Sequence, residues 1–278
     1  MTAVCKAAMN QDGFGRRVQM EDEIRQIQSI LLGMYRDFYG LAESMGINVF
    51  LVGGSALGAV RHKGFIPWDD DMDIAMLRND FEKMERFFAK TQNQWNAYQY
   101  IPVENELHPN APVGHFYRID QAKEYGYAHA PKLDIHPLDG VPENRFLQKV
   151  QNIAAKIYYL YVYNLPTKNK GRIMRQATRL ILFLTPGRLR RFLLMKLKKL
   201  ITRWNTGTEK EICSLFGVAG YEKEKMTRDI VLPARLCAFE QCEFKVFHRV
   251  EDYLTSRYGD YRKLPPEEER APAGGVWH

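Results

Sequence analysis

Between Gln19 and Met45 apolar side chains recur every three or four positions: Ile24, Ile27, Leu31, Met34, Tyr35, Phe38 and Leu41, with charges between them. That period predicts an amphipathic helix, and Gly46 is a fitting stop. Residues 1–17 lack the pattern and read as frayed. Asn48–Val52 is a short run of β-formers, a first strand that ends at Gly53-Gly54. Ser55–His62 reads as a short helix, broken at Lys63-Gly64, and Pro67 keeps the next stretch extended. Asp71–Leu77 alternates and predicts a second strand. In it Asp71 and Asp73 share one face, while Met72 and Ile74 turn into the core. Asn79 is the expected N-cap of a helix over Asp80–Lys90, with Phe81, Met84, Phe87 and Phe88 on its apolar face. Further strands are predicted over Ala97–Val103, Gly114–Ile119 and Lys132–His136, and helices over 143–163 and 171–204, the second divided at Pro186-Gly187. A hairpin over Leu236–Phe247 leads to a helix over Arg249–Tyr258 and a turn-rich tail expected to lie over the surface.

This order of elements gives an α/β (α+β) chain, a mixed sheet flanked by helices. Its 278 residues suit one large domain or two modest ones. Charge refines the division. Asn144–Thr208 holds fifteen Lys and Arg and no Asp or Glu, leaving 25 of the 40 basic residues against 33 acids elsewhere. We therefore expect a catalytic core over 18–142, a basic helical insertion over 143–208, and a C-terminal hairpin and helix over 209–278 that pack back on the core. Within the insertion the last helix is amphipathic, with Leu189, Phe192, Leu193, Leu197, Leu200 and Trp204 set against cations. Aliphatic residues interleaved with cations suit an anionic membrane surface and make nucleic acid the poorer partner. No run approaches the ~18 apolar residues of a membrane span, and the first residues carry no secretory core. Cys5, Cys213, Cys237 and Cys242 are scattered and read as reduced thiols. The expected location is the cytoplasm, with a peripheral place on the inner face of the cell membrane.

The candidate chemistry lies in Leu51–Ile74, LVGGSALGAVRHKGFIPWDDDMDI. Gly53, Gly54 and Ser55 form a turn at a helix N-terminus, where backbone N–H groups bind phosphate and glycine lets it approach closely. Asp69, Asp70, Asp71 and Asp73 crowd into five positions. Such carboxylates repel one another unless a cation joins them. Asp71 and Asp73, with Asp134 mid-strand between Leu133 and Ile135, form a three-acid set suited to Mg²⁺ or Mn²⁺. Asp69 and Asp70 read as supporting groups. A solvated acidic loop is the bland alternative. Arg61, then Lys63, are the candidate cations for bridging phosphates. Trp68 offers a stacking surface for a base or a choline headgroup, or a packing role. His136 lies two positions from Asp134 and could face the site; Asp139 reads as a turn residue.

A glycine turn, then Asp-apolar-Asp-apolar, then a later strand Asp is similar to the nucleotidyltransferase layout. GGSALGAVRHKGFIPWDDDMDIAM, LDIHPLDG and YLTSRYGDYRKLPP together resemble the LicD family of phosphotransferases over roughly residues 20–270. The resemblance implies transfer of phosphocholine or another phospho-alcohol from a CDP-linked donor such as CDP-choline to a glycan or glycolipid hydroxyl, with release of CMP. It also implies Asp71 and Asp73 as metal ligands, Asp134 as third carboxylate and general base, and Gly53, Gly54 and Ser55 on donor phosphate. Two other functions stay open: an NTP-dependent nucleotidyltransferase releasing pyrophosphate, and an inactive nucleotide- or membrane-binding scaffold. The long loop GAVRHKGFIPWDD speaks against simple nucleotide addition.

Overall fold

The computed structural model describes residues 3–103, 113–163, 171–217 and 219–270. Helix α1 spans Ala3–Ser44. It starts earlier than the apolar period predicts, because no proline interrupts the segment the sequence leaves frayed. Strand β1 (Phe50–Leu51) leads into α2 (Gly53–His62), so the two glycines are the first turn of the helix and not a turn before it. Strand β2 (Met72–Leu77) is followed by α3 (Arg78–Thr91). Asn79 is not the N-cap: α3 begins one residue before it, with Leu77 at the cap position and no capping side chain.

Strands β3 (Tyr98–Ile101) and β4 (Gly114–Arg118), helix α4 (Ile119–Tyr125) and strand β5 (Lys132–Gly140) follow. The sheet order is β1-β2-β5-β4-β3. β2 and β5 run parallel with Asp73 opposite Asp134, whereas β4 pairs antiparallel with β5, His115 opposite Asp134. β5 is longer than the alternation predicts, because its last residues pair with a strand the pattern does not reveal: β6 (Glu211–Cys213), itself paired with β7 (Lys225–Thr227). Asp139 is consequently a strand residue. It is fully buried and takes two bonds of 2.7 Å from the Arg78 guanidinium.

The insertion forms α5 (Arg145–Tyr163), α6 (Gly171–Leu184) and α7 (Gly187–Ile201). α7 packs along α5, and its Leu194, Leu197 and Leu200 lie against the core. Much of its apolar face is therefore satisfied within the chain. Residues 164–170, between the two predicted helices, and the tail from 271 onward, expected to lie over the surface, fall outside the described residues. Two short helices, α8 (Tyr221–Glu224) and α9 (Arg228–Val231), precede the β8–β9 hairpin (Arg235–Phe239 and Cys242–Val246) and α10 (Val250–Tyr258). The hairpin contacts α2 and β1, and α10 contacts α2. Cys213, Cys237 and Cys242 are free thiols. Among the described residues no helix is long and apolar enough to cross a membrane.

The core is one large cluster, with a smaller one of Ile101, Tyr117, Ala122 and Ala130 around β4 and α4. The large cluster joins Leu31, Tyr35 and Phe38 of α1 to Ile74 and Met76 of β2, Phe81 and Phe88 of α3, and Phe244 of the hairpin. α2 is held tightly inside it. A Cβ on Gly58 would collide with the backbone oxygen of Gly64 and sit 3.3 Å from the Ile66 nitrogen. Because these obstacles are backbone, Gly58→Ala is expected to cost about 1–3 kcal/mol in urea unfolding.

Candidate active site

α2 begins with Gly53 at φ +56°, a conformation glycine adopts without strain. A Cβ there would lie 2.8 Å from Asp73 Oδ2, and one on Gly54 would lie 2.8 Å from Asp69 Oδ2. The glycines thus let two carboxylates rest directly on the helix N-terminus, where the backbone favours negative charge. The Asp73 N–H donates to Ser55 Oγ (3.0 Å), which ties the head of β2 to the first turn of α2. The Gly53 N–H donates to the Tyr253 hydroxyl (3.0 Å) from α10.

The acids converge. Asp69 and Asp71 are pushed up to about 7 and about 8, first by burial and then by the neighbouring Asp73 charge. Asp134 adds to the repulsion on Asp71. Asp69 therefore belongs to the same cluster as Asp71 and Asp73 rather than to an outlying loop. Asp70 is buried, and its Oδ1 has no hydrogen-bond partner. The loop carrying these acids is pinned from α1: Gln28, buried, donates to the carbonyls of Ile66 (3.0 Å) and Asp69 (2.8 Å).

Along β5 the alternation puts Lys132, Asp134 and His136 on one face. Lys132 Nζ bonds both Asp134 oxygens (2.6 and 2.5 Å), and His115 Nδ1 lies 2.6 Å from Asp134 Oδ1. Burial opposes the Asp134 charge, but Lys132 and His115 outweigh it and hold the carboxyl below its usual range. His136 Nε2 lies 3.0 Å from Asp73 Oδ1. Burial lowers this imidazole, yet its bond to Asp73 and the Asp73 and Asp134 charges raise it overall.

A cationic and aromatic edge borders the acids. Arg61 Nη1 donates to the Tyr261 carbonyl (3.0 Å), and the Arg270 charge bears on it. The Arg270 guanidinium sits 5.6 Å over the Trp68 ring, whose neighbour on another side is the His62 ring (6.2 Å). Trp68 is packed partly against the core and already carries a cation. The Tyr258 hydroxyl feels the charges of Asp73 and Asp69, and the Arg257 guanidinium is fixed by buried Glu224 (2.6 Å). Lys63 is drawn elsewhere. It closes α2 with φ +61°, its carbonyl accepts the Glu240 N–H (2.7 Å), and its charge bears on Cys237.

The structure thus gathers Gly53, Gly54, Ser55, Asp71, Asp73 and Asp134, sets Arg61 and Trp68 at the rim, and turns Lys63 toward the hairpin. Gln28, Lys132, His115, Tyr253, Tyr258 and Arg270 join them without having been singled out by the sequence reading. Lys132 carried a local signal, as the i−2 neighbour of Asp134 on an alternating strand, and Tyr253 and Tyr258 lie in the motif YLTSRYGDYRKLPP.

Among the described residues, no three acidic, His or Cys side chains already converge as a finished chelate. The donor chemistry nevertheless fits a divalent cation: crowded carboxylates with raised affinity for protons, a buried carboxylate oxygen without a partner, and glycines that leave room beside the acids.

Residues 46–164 match the family described as LicD/FKTN/FKRP, nucleotidyltransferase domain. That segment carries a LicD-type domain. Lipopolysaccharide cholinephosphotransferase LicD of Haemophilus influenzae is 27% identical over 256 residues, 90% of this chain and 95% of that protein. Ribitol 5-phosphate transferase FKRP of Homo sapiens is 28% identical over 122 residues, 44% of this chain and 23% of its own length; the Mus musculus protein gives the same identity and covers 24% of its length. The LicD match reaches far beyond residues 46–164. In this chain the first and last sequence motifs are physically joined, through Tyr253 on Gly53 and Tyr258 beside the acids.

Proposed function

We propose that this chain is a LicD-type phosphotransferase that moves a phospho-alcohol, phosphocholine or a close analogue, from a CDP-activated donor to a glycan or glycolipid hydroxyl and releases CMP. The observation that carries the reading is the register of β2 and β5. In that register Asp73, which lies against the glycine-led N-terminus of α2, is the neighbour of Asp134 on one sheet face. The similarity to a cholinephosphotransferase over nearly the whole of both chains supports the same class of reaction.

Asp71 and Asp73, with Asp69 and Asp134 at hand, are the residues that would hold Mg²⁺ or Mn²⁺. Bound there, the ion would neutralise phosphate oxygens and lower the pKa of an attacking hydroxyl. The protein's own parts are distinct. The α2 N-terminus and Ser55 receive the phosphates, Arg61 and Arg270 supply positive charge at the rim, and His136 orients Asp73. Asp134 can accept the acceptor's proton only once Lys132 leaves it. An anionic donor phosphate offers Lys132 the alternative partner that would release it.

Acid titration supplies a check independent of any donor. Asp69 and Asp71 rise to about 7 and about 8 when folded, against about 3.9 in an unfolded chain. The folded state therefore binds more protons over that window, and stability must fall as pH rises through it. Without divalent metal, the melting temperature is expected to drop between about pH 5 and about pH 8, and Mg²⁺ should recover more of it at the higher pH. A Mg²⁺ effect that is equal at both pH values would remove the acids as the binding site.

The function itself is tested with a panel of CDP-alcohols and Mg²⁺, scored for CMP. CMP from one or more of them with a glycan acceptor is the expected result. Pyrophosphate from an NTP, with no CMP from any CDP-alcohol, would replace it with nucleotide addition.

A further inference from the structure

Helix α6 carries apolar residues that no described residue covers. Ile173, Ala177, Leu180 and Leu184 recur at i, i+4, i+7 and i+11, which makes one stripe along the helix. Ile173 is 85% exposed and Leu180 57%, and Phe183 at the border of the stripe is 84% exposed. Thr178, on the opposite side, is buried. The apolar stripe therefore faces away from the body. α7 lies along α5, with only its early Leu189, Phe192 and Met195 exposed, whereas no described residue covers the α6 stripe.

A stripe of this kind needs an occupant. The surrounding charge indicates which. Asn144–Thr208 carries fifteen cations and no acid, and Arg172 and Arg179 lie on the polar side of α6 itself. A second copy docking through this face would set two such basic segments against each other. An anionic lipid surface satisfies both features at once, taking the stripe into its acyl boundary and the cations among its headgroups. We propose that α6 docks the protein on an anionic leaflet, with Ile173, Leu180 and Phe183 as the inserted side chains.

Flotation of the full chain with vesicles tests this. Recovery is expected with phosphatidylcholine vesicles containing phosphatidylglycerol, not with phosphatidylcholine alone, and should fall as salt is raised. Leu180→Ser/Phe183→Ser changes exposed positions, so its circular dichroism should be unaltered while recovery drops by at least about tenfold. Equal recovery on neutral vesicles, or undiminished recovery of the double variant, would overturn the proposal. So would a dimer in light scattering that the double variant abolishes, which would assign the stripe to a second copy. No donor is used, so the outcome is separate from that of the transfer reaction.

Discussion

Asp73→Asn is expected to lower CMP release by about a thousandfold without lowering the melting temperature of the metal-free chain, because it removes a charge that repels Asp69 and Asp71. The substitution keeps the shape of the side chain. The Asp73 N–H still donates to Ser55 Oγ, and an amide oxygen can still face His136 Nε2, so the contacts that shape the head of β2 survive. What disappears is a negative charge in the middle of the acidic cluster, and with it a ligand for a divalent ion. Several kcal/mol of charge stabilisation on the transferring phosphoryl group, at about 1.4 kcal/mol per tenfold, corresponds to a loss of about that size. Isothermal titration with Mg²⁺ should show the same variant binding metal more weakly. If Asp73→Asn turned over at the parental rate, Asp73 would be a structural acid and the assignment of the site would fail. If parental and variant chains were both inactive with every donor yet served the cell equally, the scaffold reading would take its place.

The site was legible in the sequence where chemistry and local pattern coincide. Gly53, Gly54, Asp71 and Asp73 lie within one short segment, and the strand alternation alone separates the acids from Met72 and Ile74, which the structure buries completely. Asp134 was legible as a charge in the middle of a strand. Its partners were not. His115 meets it from a strand whose pairing no local pattern encodes, and Tyr253 reaches Gly53 across 200 positions. Gln28 sits among the polar residues of an ordinary amphipathic helix, and only the tertiary fold turns its amide toward Ile66 and Asp69. The three-residue strands β6 and β7 are too short to show a period, and they exist because β5 offers them an edge. The same limit hides which apolar faces of the insertion are covered. A helical moment says that a face is apolar, and the neighbours decide whether it is covered.

Asp139 gives the second large effect, on stability. The sequence reads it as a turn residue, but it is fully buried and bound bidentately by Arg78, the first residue of α3. Asn205, just beyond α7, donates to Asp139 Oδ1 (3.0 Å), and its own Oδ1 accepts the Gly140 N–H (2.7 Å). The pair therefore joins the start of α3, the end of β5 and the return of the basic insertion. Arg78→Met removes one charge and leaves the other buried, with only neutral donors to answer it. That situation typically costs about 3–5 kcal/mol, a large share of the ~5–15 kcal/mol that keeps a domain folded. Arg78→Met is expected to shift the urea midpoint sharply and to reduce soluble yield. Removing both charges, as in Arg78→Met/Asp139→Leu, should recover much of the loss, because the cost lies in the orphaned carboxylate more than in the absent attraction. A double variant as unstable as the sum of its singles would show instead that the ion pair itself, through its link to Asn205, holds the insertion on the core.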